Sequence, residues 1–143
     1  MPKFIIVLFL LSFSLSAQEK VMDNIPNKNI TIEQLDEMFS NIAEQGQWDL
    51  SQPLLWGYFF TDNDLSKLEL AMPKIQAMGY SVVGIFQAEK ENVNEPDLFF
   101  LHVEKPEIHD SKSLDKRNDE FYIFAYQNGL DSYDGMDVGP VAQ

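Results

Sequence analysis

The sequence contains no cysteine. That removes a disulfide framework, a thiolate nucleophile and any cysteine-type zinc site. Cations are scarce too: 10 Lys and Arg stand against 23 Asp and Glu, a formal net charge of −13. A surface of that sign repels phosphate backbones and anionic lipid. The one tight basic pair, Lys116-Arg117, is flanked by Asp115 and Asp119, so a basic stripe for nucleic acid is missing. There is no G-x-S-x-G context around any serine and no glycine-rich phosphate loop. No apolar run reaches the roughly 20 residues that a membrane-spanning helix needs. Internal repeats and low-complexity blocks are absent as well.

The longest apolar run that does occur is Phe4 to Phe13, preceded by Lys3 and followed by Ser14, Leu15, Ser16 and Ala17. A short basic segment, an apolar centre and a small-residue end form the pattern of a secretory signal peptide. Residues 1–17 are therefore expected to be cleaved after Ser16 or Ala17, and the mature chain to be periplasmic or extracellular with no membrane attachment. The competing account of this run is a buried N-terminal strand or helix.

Residues 18–29 read as a polar, flexible leader broken by Pro26. Residues 30–143 read as one small domain, with about 45% of the chain apolar and able to form a core. Thr31 and Gln34 have capping-box spacing, and Leu35, Met38, Phe39 and Ile42 then make one apolar helical face that Gly46 ends. Leu54 to Thr61 alternates with apolar residues on both sides, which predicts a central strand. On that reading Phe59→Ala should cost about 3–5 kcal/mol. Leu65, Leu68, Met72, Ile75 and Met78 form a helical stripe up to Gly79, and Pro73 inside it predicts a bend or a helix in two pieces. Tyr80 to Ala88 and Leu98 to Val103 read as two strands joined by a charged turn, with Pro106 closing the second. A helix over Leu114 to Asn128 and a last short strand near Ser132 to Val138, kinked at Gly135, complete the chain.

That order, α then β-α-β-β-α-β, predicts an α+β fold. Right-handed crossovers turn it into a ferredoxin-like antiparallel sheet with two helices on one face and an extra N-terminal helix. The strands from Leu54 and Leu98 should be central.

Few residues carry candidate chemistry. The two histidines, His102 and His109, fall in a strand and in a loop, and nothing in their spacing makes them meet. A small hydrolase or metal-dependent enzyme would have to use them with nearby acids. Asp131, Asp134 and Asp137 around Gly135 miss the alternation of an EF-hand loop, so no metal site is expected. The more informative group is aromatic. Trp56, Tyr58, Phe60, Phe100 and His102 are expected to share the sheet face turned away from the two crossover helices. RNA-binding domains of this topology stack bases there, but the basic-glycine-aromatic signature and the positive charge are both missing. Two accounts of the face stay open: the N-terminal helix covers it as core, or it is a protein-contact or dimerisation surface.

Taken together, several of these segments resemble the RraB family, named for a regulator that inhibits ribonuclease E by binding it. The resemblance rests on the N-terminal helix, the aromatic strand end Tyr58-Phe59-Phe60, the pair Gly79-Tyr80 and the triplet Tyr133-Asp134-Gly135, and covers roughly Ile30 to Val138. Met136 stands where the family commonly has tryptophan. The resemblance implies an α+β sandwich, no enzymatic activity, no cofactor and a protein partner. Ribonuclease E is cytoplasmic, so an exported chain would need another partner. If the signal-peptide assignment fails, an intracellular nuclease regulator is the expectation instead.

Overall fold

The structure, a computed structural model, describes residues 24–141. The expected signal peptide over residues 1–17 lies outside the described residues, as does the first half of the leader. The elements are α1 (Ile32–Gln45), β1 (Leu54–Asp62), α2 (Leu65–Ala77), β2 (Ser81–Gln87), β3 (Phe99–Glu107), α3 (Ser111–Gln127) and β4 (Ser132–Gly139).

Local chemistry sets the helix ends. Thr31 Oγ1 accepts from the Gln34 N–H at 3.1 Å, and the Gln34 side chain accepts from the Thr31 N–H at 2.8 Å. This reciprocal cap satisfies two of the N–H groups that a helix start leaves unpaired. Gly46 ends α1 at φ 63°, a left-handed conformation that only glycine adopts without strain. Asp64 caps α2 and Asp110 caps α3. Pro73 does not divide α2, which runs as one helix through it. The proline lies on the exposed side of the helix, where water can satisfy the carbonyl it leaves free.

The four strands form one antiparallel sheet in the order β2-β3-β1-β4, the ferredoxin-like order with β1 and β3 in the middle. β3 is longer than its apolar pattern implied and includes Pro106. Pairing with β2 ends at Glu104, so beyond it Pro106 has no second neighbour to which a missing donor would matter. Gly135, at φ 112°, marks an irregularity in β4: Phe59 pairs with Gly135 and Phe60 with Tyr133, leaving Asp134 as the extra residue.

The core lies on one side of the sheet only. From the strands it takes Leu54, Trp56, Tyr58, Phe60, Leu101, Val103, Tyr133, Met136 and Val138, and from the helices Leu68, Ile75, Leu114, Phe121 and Phe124. Phe121 is its hub, with Tyr58, Phe60, Tyr80 and Tyr133 all within 4.6–5.4 Å of it between ring centroids. α1 packs against α3 within the same helical layer, and Phe39 reaches Trp56 at 5.8 Å. The N-terminal helix therefore thickens the core and leaves the other side of the sheet uncovered by any described helix. Residues 28–30 run onto α3 as well. Lys28 Nζ lies 3.0 Å from Asp115 and 2.7 Å from Asp119, and the Tyr122 hydroxyl accepts from the Ile30 N–H at 3.2 Å.

Candidate functional site

The sheet register divides the five residues expected to share one face. Directly opposed residues of an antiparallel pair point to the same side. Tyr58 opposes Val103 and Phe60 opposes Leu101, whereas Phe59 opposes His102 and Thr61 opposes Phe100. Trp56, Tyr58 and Phe60 thus lie under the helices, each fully buried in the core. Phe100 and His102 lie on the uncovered side. Alternation along one strand fixes which residues go together on that strand; it does not say which set of the next strand joins them.

His109 and His102 do not meet, because they serve opposite sides of the sheet. His109 sits past the end of β3 on the core side, edge-on to Trp56 at 5.4 Å. Its Nε2 is 3.2 Å from Glu107 Oε1 and 3.3 Å from the Tyr58 hydroxyl, and its Nδ1 is 2.9 Å from Ser113 Oγ. Glu107 also accepts from the Tyr58 hydroxyl at 2.6 Å and from Arg117 Nε at 3.1 Å, with Arg117 Nη2 closer still on the same oxygen. Burial opposes ionisation of this carboxyl, but the hydrogen bonds from His109, Tyr58 and Arg117 overcome it and bring its pKa down to about 2. Burial and the Glu107 charge push the Tyr58 hydroxyl well above the usual tyrosine range. Glu107 held this way is not a base near neutrality, and the Tyr58 phenol stays protonated. The cluster ties the end of β3 to α3.

The uncovered face is built differently. His102 stacks on Phe59 with ring centroids 4.3 Å apart and planes 19° apart, and Phe86 stands 6.4 Å from His102. Phe86 is 50% exposed and Val83, at an irregularity in β2, is 45% exposed. Beside this patch, Gly57 is opposed by Glu104 on β3 and by Asp137 on β4. A Cβ at Gly57 would collide with Asp137 Oδ1 and lie 2.7 Å from His102 Nε2. The glycine is what lets both atoms close over β1. His102 Nε2 is buried and has no hydrogen-bond partner among the described residues. Burial lowers the His102 pKa. Burial, and after it the Glu104 charge, raise Asp137 to about 6, with backbone hydrogen bonds only partly opposing. Neither Glu104 nor Asp137 has an ion-pair partner among the described residues. No group of three His, Asp or Glu among the described residues is arranged to hold a metal ion.

Sequence reasoning assigned none of Gly57, Phe59, Phe86, Glu104 and Asp137 to a contact face; Phe59 entered it only as a strand residue and Asp137 only in a failed calcium pattern. A glycine in the middle of a strand with apolar faces is the one sequence signal that pointed there, since such glycines mark a close approach. The rest depends on register.

A family model described as regulator of ribonuclease activity B matches residues 32–138. The chain belongs to the RraB family. A search of curated proteins finds no match. In this RraB domain, the residues that carried the sequence resemblance have structural surroundings. Gly79, at φ 100°, turns the chain out of α2 into β2. Tyr80 is buried beneath Lys105, whose Nζ lies 5.1 Å from the ring centre. The Tyr133 hydroxyl donates to Asn118 Oδ1 at 2.6 Å in the core. Asp134 and Gly135 form the β4 irregularity, with burial raising the Asp134 pKa. Tyr80 and Tyr133 are core residues of the RraB fold, whereas Gly135 opposes Phe59 of β1.

Proposed function

We propose that this RraB domain is a non-enzymatic regulator that acts by binding another protein, and that it does so in an exported form. The family description supports regulation, and one structural observation supports binding: a sheet face carrying Phe59, His102, Phe86 and Phe100 that no described helix covers. Exposed aromatic patches of this kind are what protein contacts are made from. The histidines that an enzyme would need are on opposite sides of the sheet. Export rests on the N-terminal sequence pattern alone, and it directs the search for a partner away from ribonuclease E.

Two measurements test this reading. Fractionation with N-terminal sequencing should find a mature chain beginning at Ala17 or Gln18; an intact Met1 in the cytoplasm would overturn export and make an intracellular ribonuclease E regulator the better account. Photocrosslinking from position 86, on the open face, should trap a protein partner in periplasmic or secreted extract. Crosslinking from position 70, exposed on α2, should not. Absence of any trapped protein, or equal trapping from both positions, would count against binding through the sheet.

A further inference from the structure

We propose that the uncovered sheet face receives an arginine side chain of a partner polypeptide at the Glu104 and Asp137 carboxylates, which flank Gly57 from two strands, with its apolar neighbours on Phe59, Phe86 and Phe100. This deepens the protein-binding reading and rests on it.

The face is amphipathic in a particular way. Its β2 side is aromatic and its β4 side is anionic, and over Gly57 between them lie Asp137 Oδ1 and His102 Nε2. Glu104 and Asp137 oppose the same residue from two strands, so their charges repel across one glycine. No lysine or arginine of the described chain relieves that repulsion. The nearest strand cation in sequence, Lys105, lies on the other side over Tyr80, and Arg117 is held by Glu107 and Glu120. A cation supplied from outside gains attraction from both carboxylates at once. The planar guanidinium suits the place better than an ammonium, because it can stack along an aromatic wall while donating to two acceptors.

The same features decide against other occupants. Nucleic acid would bring phosphates onto two carboxylates of a chain with net charge −13. A second copy would bring the same two carboxylates to the interface, and no described lysine or arginine lies on this face to pair with them.

Titration orders the binding. Two ionisable groups face Asp137 over Gly57: Glu104 and His102, both on β3. β1 contributes only Gly57 there, and β2 carries no ionisable residue. Acidification through pH 6 neutralises Asp137, which acts against a cationic ligand.

The test is a titration of the full mature chain with acetyl-Phe-Arg-Phe-amide and with its citrulline counterpart, which keeps shape and loses charge, read by amide NMR shifts. The arginine peptide should shift Gly57, Phe59, His102 and Asp137 and bind at least about ten-fold more tightly than the citrulline peptide. Binding should weaken at least several-fold from pH 7.5 to pH 5. The variants Asp137→Asn and Glu104→Gln, checked as folded by thermal melting, should each lose most of the preference for arginine. Equal binding of the two peptides, no shift with either at millimolar concentration, or shifts mapping to α2 and α3 would overturn the proposal. The position-86 crosslink separates that failure from failure of the protein-binding reading. A partner still trapped after Asp137→Asn would keep the latter and remove the arginine seat.

Discussion

The imidazole of His102 lies flat on the ring of Phe59, with centroids 4.3 Å apart and planes inclined by 19°. That pair belongs to the side of β1 that the helices leave open, while the next residue, Phe60, points into the core with Phe121, Phe124 and Tyr133 around it. Two adjacent phenylalanines on a central strand thus have different energetic roles.

Their alanine variants should separate in chemical denaturation. Phe60→Ala empties a fully buried site and should cost about 3–5 kcal/mol. Phe59→Ala removes a half-buried ring from one stacking contact and should cost about 1 kcal/mol, well below the core-like value that its place on a central strand suggests. Equal losses would mean that both sides of β1 are covered.

Glu107 predicts the acid limb of the stability curve. Its pKa in the folded protein is lowered from the ordinary glutamate value of 4.5 to about 2. A depressed carboxyl stabilises the fold above its unfolded pKa, and that contribution is lost as pH falls through 4.5 toward 2. Glu107→Gln should therefore destabilise the protein at pH 7 by about 2–3 kcal/mol. This is below the range for a fully enclosed pair, because Arg117 is partly exposed and keeps Glu120. The gap from wild type should close between pH 4.5 and pH 2 in denaturant titrations. A gap that is constant with pH would assign the cost to packing alone.

The fold was legible because its signals are local. Thr31 and Gln34 announce the first helix, alternation outlines β1, and Gly135 marks the irregularity in β4. The face was not legible because its signals are relational. β1 is apolar on both sides, so hydrophobicity does not choose whether Phe60 joins Leu101 or Phe100. The Glu107–His109–Arg117 cluster joins a strand end to a helix face ten residues on and has no short motif to find. Pro106 misled for the same reason: it is permitted by the absence of a β2 partner beyond Glu104, which a one-dimensional pattern does not contain.

Asp137 should show the opposite pH sign from Glu107. Its pKa is raised in the folded protein, from 3.8 to about 6, so the folded state holds a proton that the unfolded chain has released. The stabilisation from that proton is present below about pH 4 and lost as pH rises through 6. At pH 7 the wild type carries a buried, repelled charge, and Asp137→Asn should be the more stable protein by about 1 kcal/mol after allowing for solvent screening. The advantage should vanish near pH 4. Thermal melts at pH 4 and pH 7 check it, and an Asn variant less stable at pH 7 would show that Asp137 has a cation of its own.

Gly57 is the remaining determinant of the open face, and its effect should be coupled to Asp137. Gly57→Ala puts a methyl where Asp137 Oδ1 lies and 2.7 Å from His102 Nε2, so something must shift. β1 is held by hydrogen bonds to both neighbouring strands, which leaves the two side chains to move. The substitution should cost about 1–3 kcal/mol. In an Asp137→Ala background the nearer clash is gone, and the same substitution should cost less than about 1 kcal/mol. The difference between these costs is a coupling free energy, measurable by urea denaturation of the four proteins in the cycle. Additive costs would mean that the carboxylate does not close over Gly57 in solution. Asp137 would then be free of Gly57, and the placement of its carboxylate beside Glu104 for an arginine would lose its support.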